Sequence, residues 1–293
     1  MSSAIAERLP SPPDVVVIVL TWNGRALTLD CLRSLEAVTT PGVRVMVVDN
    51  ASGDGTVDAI RERYGDRVDL LVNPANLGYA GGNNAGIRRA LEQGARFIML
   101  LNNDTTVAPH FVDHLLAPLR ESNDIGVAAP KIYFAQPPTR IWYAGGEVAM
   151  WKGTARHIGI RETDLGQYDR PRDVDYASGC CFVARRDVFE KVGMLDERYQ
   201  AYFEDTDWCM RVRRAGLRVR YVPAAHVWHR ISASTGGQVS RRKVTRKLKS
   251  SWRFFTTYAK PHHWLTIPLF FTLDVVRIVG LILVGRIRDA DPL

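Results

Sequence analysis

Short apolar runs alternate with amphipathic stretches over the first 125 residues of the chain. The amphipathic stretches, at 25–38, 54–64 and 82–93, carry apolar residues at roughly helical spacing. The apolar runs are rich in β-branched residues, which is typical of strands buried on both faces. These runs are Val15–Thr21, Val43–Val48, Val68–Val72 and Phe97–Leu101. The alternation of strand and helix predicts βαβ units, and therefore an α/β fold with a mainly parallel sheet flanked by helices.

The rest of the chain is less regular. The stretch 133–175 is long enough for a small antiparallel hairpin and a binding loop. Strands are predicted at 179–184 and 217–222, and helices at 186–192 and 204–215. Beyond residue 229 the composition shifts, first to Ser, Thr and Gly and then to a basic run. We therefore predict a disordered leader over 1–13, a catalytic domain over 14–237 and a helical C-terminal segment over 238–293.

Composition narrows the classes of protein to consider. A chain of 293 residues with 46% hydrophobic and 24% charged residues can bury a substantial core. Much of the net charge of +8 comes from 241–253, which has seven basic residues and no acid. No nucleic-acid recognition fold accompanies this run, so we expect no nucleic-acid partner. The cysteines lie in apolar contexts without a CxxC pair, which indicates buried free thiols and a cytoplasmic main body. They are Cys31, Cys180, Cys181 and Cys209.

Polar residues follow the predicted strands at the point where each strand ends. Asn102, Asn103 and Asp104 come directly after the strand that begins at Phe97. Open α/β sheets place their ligand sites at the carboxyl ends of the strands. One carboxylate beside amide oxygens suits Mg²⁺ or Mn²⁺ bridging a diphosphate. The alternative is that Asp104 merely caps the helix that starts near Pro109.

Three further motifs share this edge. They are TWNG at 21–24, VDNAS at 48–52 and the glycine-rich NPANLGYAGGNNAG at 73–86. In the last of these, glycines allow backbone N–H groups to approach an anion at a helix N-terminus. One glycine-rich turn is weak evidence for a ligand site, but four motifs converging on one rim are strong evidence.

In these motifs the chain resembles the family 2 glycosyltransferases, which are inverting enzymes of GT-A fold that use nucleotide sugars, and especially the bacterial rhamnosyltransferase-like subgroup. The stretches that carry the resemblance lie between residues 15 and about 235. They are IVLTWNG, VMVVDNASGDGT, NPANLGYAGGNNAGI, FIMLLNNDTTV, SGCCFVARRDVFEKVGMLDE and YFEDTDWCMRVRRAG.

The resemblance implies a nucleotide-sugar site along the rim. Ten residues are expected to contact or border the donor: Thr21, Asn23, Asp49, Asn76, Gly82, Asn83, Asn102, Asn103, Ser178 and Gly179. Asp104 is expected to be the metal-binding acid of the family's Asp-x-Asp element. Asn102 stands at the first position of that element, which removes one charge and should weaken metal affinity.

A second acidic centre, Glu204 and Asp205, begins a predicted helix. The resemblance places the general base on Asp205, with Glu204 as the fallback. The structural alternative is that both acids cap the helix, where carboxylates are favoured in any case. Asp207 is expected to pair with Arg211 at i+4.

A histidine near the end of the last predicted strand is a candidate second metal ligand. Similar family members carry a histidine at the position of His229, which can approach the metal or diphosphate. Arg230 and Ile231 stand where relatives often have glycine. His226 is the competing candidate, and either histidine could instead be an ordinary core residue.

The C-terminal segment has an apolar stretch of 21 residues, 264–284, interrupted by Pro268, Asp274 and Arg277. Together with the basic run, this favours an amphipathic anchor on an anionic membrane surface over residues 241–288. The alternatives are packing on the catalytic domain, dimerisation or a true membrane span. Aromatic residues are expected to lie at the lipid interface: Trp252, Phe254, Phe255, Tyr258 and Trp264.

These features predict a metal-dependent inverting glycosyltransferase, associated with the inner face of the cell membrane. It would move a sugar, rhamnose being one candidate, from a UDP- or dTDP-sugar to a glycan or lipid-linked acceptor. A nucleotidyltransferase of related fold is one rival, but TWNGRALTL lacks the basic glycine-rich loop that it needs. An inactive carbohydrate-binding scaffold is the other rival, and the presence of Asp49, Asp104 and Asp205 together argues against it. The oligomeric state is left open.

Overall fold

The computed structural model describes residues 12–199, 201–230, 241–273 and 276. Most of the predicted leader over 1–13 and the predicted domain boundary at 237 lie outside these residues. So does much of the apolar stretch 264–284.

Twelve strands and seven α-helices are found in the described residues. The strands are β1 Val15–Thr21, β2 Val43–Asp49, β3 Asp69–Val72, β4 Phe97–Asn102, β5 Thr105–Val107, β6 Ile125–Phe134, β7 Ile141–Tyr143, β8 Gly146–Ala149, β9 Thr154–His157, β10 Arg172–Val174, β11 Cys181–Arg185 and β12 Arg218–His229. The helices are α1 Arg25–Leu35, α2 Thr56–Tyr64, α3 Gly78–Glu92, α4 Phe111–Glu121, α5 Arg186–Val192, α6 Glu204–Arg214 and α7 Arg241–Tyr258.

Ten strands form one sheet in the order β10-β12-β6-β11-β4-β1-β2-β3, with β5 paired to β12 and β7 paired to β6. The block β4-β1-β2-β3 is parallel, as is the pair β12-β6, whereas β11 runs antiparallel to both of its neighbours. The predicted α/β architecture with a mainly parallel sheet is confirmed. The hairpin expected within 133–175 is present as β8 and β9, which form a separate two-stranded sheet.

The core lies between the sheet and its helices. Val15 to Val19 of β1 are fully buried, as expected of a strand covered on both faces. Helix α3 begins at Gly78, one turn before its predicted start at Gly82. A Cβ at Gly86 would lie 2.7 Å from Ile18 Cγ2, so the glycines of α3 let this helix pack closely against the sheet.

Strand β12 continues well past its predicted end at Val222. Pro223 suggested a strand end because proline cannot donate to a ladder. The strand instead accommodates the proline at an irregularity between Val222 and His226 and then pairs with β6 again as far as His229. The catalytic histidine candidates therefore both lie on β12.

All four cysteines are free and buried, which confirms the prediction of buried thiols. Burial raises the pKa of Cys31 and of Cys209 to about 12, and it raises the pKa of the two vicinal thiols further.

Helix α7 packs against the sheet-bearing body. Phe254, Phe255 and Tyr258 form a small buried cluster with Tyr199. The prediction that these three aromatic side chains of α7 face lipid is therefore wrong, because their apolar surface is already covered by protein. Trp252, in contrast, remains exposed. Within the residues that the structure describes, no helix has both the length and the apolar character to cross a membrane.

Candidate active site

The ends of three neighbouring strands bring the predicted polar residues to one rim. Strand β1 lies between β2 and β4, with Thr21 opposite Asp49 and Leu20 opposite Asn102. The carboxyl ends of parallel strands meet at one edge, so the turns that follow β1, β2 and β4 are adjacent.

Asp49 has one oxygen without a partner. Its side chain is fully buried, and its Oδ1 accepts a hydrogen bond from the Ser52 N–H at 2.8 Å. Its Oδ2 accepts none from the protein. A buried acceptor without a donor is costly. The arrangement thus suits a ligand that brings its own N–H or O–H donor to Asp49.

Asn50 and Asn73 were not among the predicted site residues, although both lie in the quoted motifs. Asn73 Nδ2 donates to Asn50 Oδ1 at 2.8 Å, and Asn50 Nδ2 donates to the Gly78 carbonyl at 3.0 Å. Asn76 Oδ1 accepts from the Gly78 N–H at 2.9 Å. This asparagine network joins the end of β2 to the start of α3. A Cβ at Gly82 would lie 2.8 Å from Asn50 Nδ2 and 2.4 Å from a Leu20 methyl, so the network leaves no room for a side chain there.

Several predicted donor-binding residues bond to the protein itself. Asn23 Oδ1 accepts from the Gly53 N–H at 2.8 Å, which joins the β1–α1 turn to the β2–α2 turn. Asn103 Nδ2 donates to the Thr21 hydroxyl at 3.2 Å. Asn83 is buried and donates to the Tyr79 carbonyl one turn earlier in α3. For these side chains the structure shows a scaffolding contact beside the rim, and their contact with a donor stays a prediction.

Asp104 and His229 meet at the rim. The backbone brings them together, because His229 pairs with Thr105 of β5 and the Arg230 N–H donates to the Asp104 carbonyl at 2.8 Å. His229 Nε2 lies 3.0 Å from Asp104 Oδ1, but the N–H direction is not aligned for a hydrogen bond and Oδ1 accepts none. Trp142 packs edge-on against the His229 ring, with the ring centroids 4.6 Å apart.

His226 points elsewhere. Alternate residues of a strand face opposite sides, and His226 lies edge-on to the Tyr133 ring beside Trp228, away from Asp104. Within the described part of the chain, no group of three or more His, Cys, Asp or Glu side chains could hold a metal. Asp104 and His229 can therefore supply two ligands to a metal, with substrate and water oxygens providing the others.

Strand β11 brings the second acidic centre to the same rim. The Gly179 N–H donates to Asp205 Oδ2 at 2.7 Å, and the neighbouring Cys180 carbonyl accepts from the Asn102 N–H at 2.9 Å. Ser178, buried in the same turn, accepts a bond from the Cys180 N–H. Tyr79 donates its phenol proton to the Gly179 carbonyl. Tyr79 was not predicted as a site residue, although it lies in the glycine-rich motif.

Glu204 and Asp205 differ in their hydrogen bonding. Asp205 is part-exposed and accepts bonds from the Gly179 and Thr206 N–H groups and from the Thr206 hydroxyl. Glu204 is buried, and its Oε2 has no partner. Desolvation, reinforced by the charge of Asp205, raises the pKa of Glu204 to about 8. Burial also raises the pKa of Asp205, but its hydrogen bonds oppose the shift.

The other ionisable groups whose pKa responds to Asp205 are acids too. Besides Glu204 they are Tyr79, Tyr143, Tyr176 and Cys209. At neutral pH the acidic pair therefore retains one proton. Glu204 holds that proton, because three donors stabilise the charged form of Asp205 and none of them reaches Glu204 Oε2. An ionised, part-exposed carboxylate at a ligand rim can accept a proton from a hydroxyl group.

A family model described as "Glycosyltransferase like family 2" matches residues 12–250. The chain belongs to this family. It is thus a glycosyltransferase, and the nucleotidyltransferase and inactive-scaffold alternatives are set aside.

Curated relatives of this glycosyltransferase include rhamnosyltransferases. The chain is 32% identical over 278 residues to an N-acetylglucosaminyl-diphospho-decaprenol L-rhamnosyltransferase from Mycobacterium tuberculosis, covering 88% of each chain. It is 27% identical over 218 residues to a dTDP-rhamnosyl transferase from Shigella flexneri, covering 74% of this chain and 69% of that one.

Solved structures of the same fold support the architecture. A Pyrobaculum calidifontis mannosyltransferase in complex with GDP-Man and Mn²⁺ aligns with a TM-score of 0.60 at 18% identity, covering 88% of this chain and 68% of that one. GalNAc-T7 with UDP, GalNAc and Mn²⁺ aligns with a TM-score of 0.64 at 17% identity, covering 82% of this chain and 47% of that one. The predicted GT-A fold is confirmed.

Proposed function

We propose that this glycosyltransferase moves a rhamnosyl group from dTDP-rhamnose to a hydroxyl of a lipid-linked diphospho-sugar, with inversion at the anomeric carbon. The names of the two rhamnosyltransferase relatives support this choice of donor sugar, and the name of the mycobacterial relative supports a lipid diphosphate acceptor. A UDP-linked donor is the alternative for the base.

One observation carries the mechanism: Asp205 is an ionised carboxylate that the Gly179 N–H holds at the rim where the strands end. Asp205 accepts the proton of the acceptor hydroxyl as that oxygen bonds to the anomeric carbon and the bond to the diphosphate breaks. Inversion follows from this single displacement. Glu204, protonated beside Asp205, adds no second negative charge to the cleft.

The donor lies along the rim of the parallel strands. The unpartnered Asp49 Oδ2 accepts a hydrogen bond from the nucleoside, and the asparagine network holds the start of α3 toward the diphosphate. The N-terminus of α3 contributes favourable electrostatics, because backbone N–H groups at a helix start attract anions.

Asp104 and His229 hold Mn²⁺ or Mg²⁺ in this proposal. Two ligands at right angles, each about 2.1 Å from such an ion, lie about 3.0 Å apart, and the Asp104 Oδ1 to His229 Nε2 separation is 3.0 Å. The imidazole favours Mn²⁺ over Mg²⁺, which keeps oxygen ligands. When bound, the ion neutralises charge on the diphosphate leaving group.

The first test is a thermal-shift panel of dTDP-rhamnose, UDP-glucose, UDP-N-acetylglucosamine and GDP-mannose with Mn²⁺ or Mg²⁺. A rise in Tm with dTDP-rhamnose alone is the expected result. Transfer to a synthetic polyprenyl diphospho-N-acetylglucosamine, with NMR of the product, then checks the acceptor and the inversion. A shift with UDP- or GDP-sugars alone would replace the donor, and retention of anomeric configuration would remove the single-displacement mechanism.

We propose that the enzyme binds the inner face of the cell membrane through an apolar patch next to α7. The patch consists of exposed residues Trp151, Trp252, Leu265, Leu269, Phe271 and Leu273. Its parts are joined, because Trp151 packs edge-on to Phe270 and Trp252 packs against Trp264. The basic run of α7 beside the patch complements anionic lipid. Exposed apolar patches of this kind mark interaction surfaces.

Leu265→Glu combined with Leu269→Glu tests the patch in sedimentation with phosphatidylglycerol-containing vesicles. We expect the double variant to lose vesicle binding and to keep its melting temperature. Leu165→Glu is the matched control, because Leu165 is 85% exposed and Leu265 is 84% exposed, but Leu165 lies in the loop before β10. Equal binding by the double variant and the wild type would exclude the patch as the membrane contact.

A further inference from the structure

Asp207 links helix α7 to the helix that begins with the acidic pair. Asp207 lies in the first turn of α6 and is buried. Its Oδ2 accepts from Arg211 Nε at 3.0 Å, which confirms the predicted i+4 pair. Its Oδ1 accepts from the Tyr258 hydroxyl of α7 at 2.8 Å and from the Tyr199 hydroxyl at 3.3 Å. The carboxylate next but one to Asp205 is thus held from one side by α7.

A second contact reaches the residue before the acidic pair. Phe203, at the start of α6, has φ +69°, and Tyr202 has φ +68°. Bulky residues adopt this left-handed conformation only where surrounding structure holds them in it. The rings of Phe254 and Phe255 pack against the Phe203 ring, with centroids 5.1 and 5.9 Å apart.

The backbone just upstream is also tied to α7. The Ser250 hydroxyl donates to the Ala201 carbonyl at 2.8 Å. Ser250, Phe254, Phe255 and Tyr258 are the buried side chains in the described part of α7, and all four contact residues between 199 and 207. The buried face of α7 therefore converges on the short segment that delivers Glu204 and Asp205 to the rim.

We propose that α7 is a positioning element for the catalytic acids, in which Tyr258 acts on Asp205 through Asp207, and Phe254 acts on Glu204 through Phe203. This inference rests on the proposed function in one respect, the assignment of Asp205 as the base. Tyr258 and Phe254 touch neither substrate nor reacting atoms. They fix the first turn of α6, so that Asp205 meets the Gly179 N–H and points at the acceptor.

Positioning has a consequence for the ionisation of Asp205. The Gly179 and Thr206 donors lower its pKa against the effect of burial, and the surrounding ionisable groups Glu204, Tyr79, Tyr143, Tyr176 and Cys209 are all acids. If α6 shifts and these donors lose alignment, the charged form loses stabilisation and the pKa of Asp205 rises further. Activity would then need a higher pH.

Tyr258→Phe tests the link, because it removes one hydroxyl and keeps the ring that packs on Phe254 and under Arg214. We expect kcat to fall roughly tenfold with the KM for the nucleotide sugar unchanged. We also expect the acid limb of the kcat pH profile to move to higher pH. Thr257→Ala is the control, because Thr257 is exposed and bonds to Arg253 within α7. It should match the wild type in both measurements.

The outcomes separate this inference from the proposed function. An inactive Asp205→Asn variant together with wild-type kcat and pH profile in Tyr258→Phe would overturn the role of α7 and leave the base in place. A lower Tm in Tyr258→Phe with an unchanged kcat and pH profile would also overturn it, since a purely stabilising contact behaves in that way. A fully active Asp205→Asn variant would instead remove the base itself.

Discussion

His229 Nε2 and Asp104 Oδ1 lie 3.0 Å apart, although one residue ends β12 and the other follows β4. The two atoms are close enough for an ion pair but not aligned for a hydrogen bond. This geometry is the structural basis for the metal site in the proposed function, and it is testable without measuring turnover.

Asp104→Ala and His229→Ala should each abolish most of the rise in Tm that Mn²⁺ and a nucleoside diphosphate produce together. Each substitution removes one of two protein ligands, and a ligand stabilises a protein only as far as it binds the folded state. Differential scanning fluorimetry over a Mn²⁺ titration checks this. His226→Ala is the matched control on the same strand, and its titration should resemble that of the wild type. A full Mn²⁺ response in His229→Ala would assign the second ligand to another residue.

Asp205→Asn should lower kcat by on the order of 10²–10⁴-fold, because the amide cannot accept the acceptor's proton. The amide keeps the shape of the side chain and still caps a helix about as well as a carboxylate. Donor affinity and Tm should therefore change little. Steady-state kinetics and calorimetric titration of the donor measure both effects. Near-normal turnover in this variant would mean that Asp205 is only a helix cap.

Glu204→Gln should keep most of the activity at pH 7, because the protonated acid and the amide are both neutral. It should also change how stability depends on pH. The pKa of Glu204 is about 8 in the folded protein against an ordinary 4.5. Between these pH values the folded state holds a proton that the unfolded state releases, so the wild type loses stability as pH rises through this window.

The variant lacks this titration. Its Tm should fall less between pH 5 and pH 8 than that of the wild type, and at pH 8 the variant should be the more stable protein. Thermal melts of both proteins across that range measure the difference. Parallel Tm curves would show that Glu204 is ionised in the folded state. A loss of turnover in Glu204→Gln combined with an active Asp205→Asn would transfer the base to Glu204.

Gly82→Ala should weaken donor binding and destabilise the fold by about 1–3 kcal/mol. The new methyl group would press on Leu20 and Asn50, and this would disturb the asparagine network between β2 and α3. Gly53→Ala is the control, because a Cβ at that glycine meets no atom within 4 Å. Urea unfolding and donor titration of both variants check the prediction. Equal stability of the two variants would show that α3 can move away from the sheet.

The sequence predicted the parallel half of the sheet closely, because strands buried on both faces give continuous apolar runs. Val15–Thr21 and the helix Arg186–Val192 were predicted with their observed bounds. Strand β12 was harder, since Pro223 suggested an end that an irregularity in the pairing instead absorbs. The approach of His229 to Asp104 depends on that extension.

Other parts of the site depend on contacts between distant segments, which local patterns do not encode. The bond from Gly179 to Asp205 joins two turns through β11 and α6, and neither turn specifies the other. The aromatic side chains of α7 have the spacing of an interfacial helix, but so does a helix docked on protein. Phe254 and Tyr258 are buried by a neighbouring segment that the amphipathic pattern cannot identify.

The buried cysteines make this chain convenient for site-directed labelling. Only the thiolate reacts with maleimides, and none of the four native thiols is both accessible and ionised near neutral pH. A single Trp252→Cys substitution would therefore give the described region one reactive thiol on the outer side of α7. An environment-sensitive dye attached there could report lipid contact and movement of α7 in real time, without first removing any native cysteine.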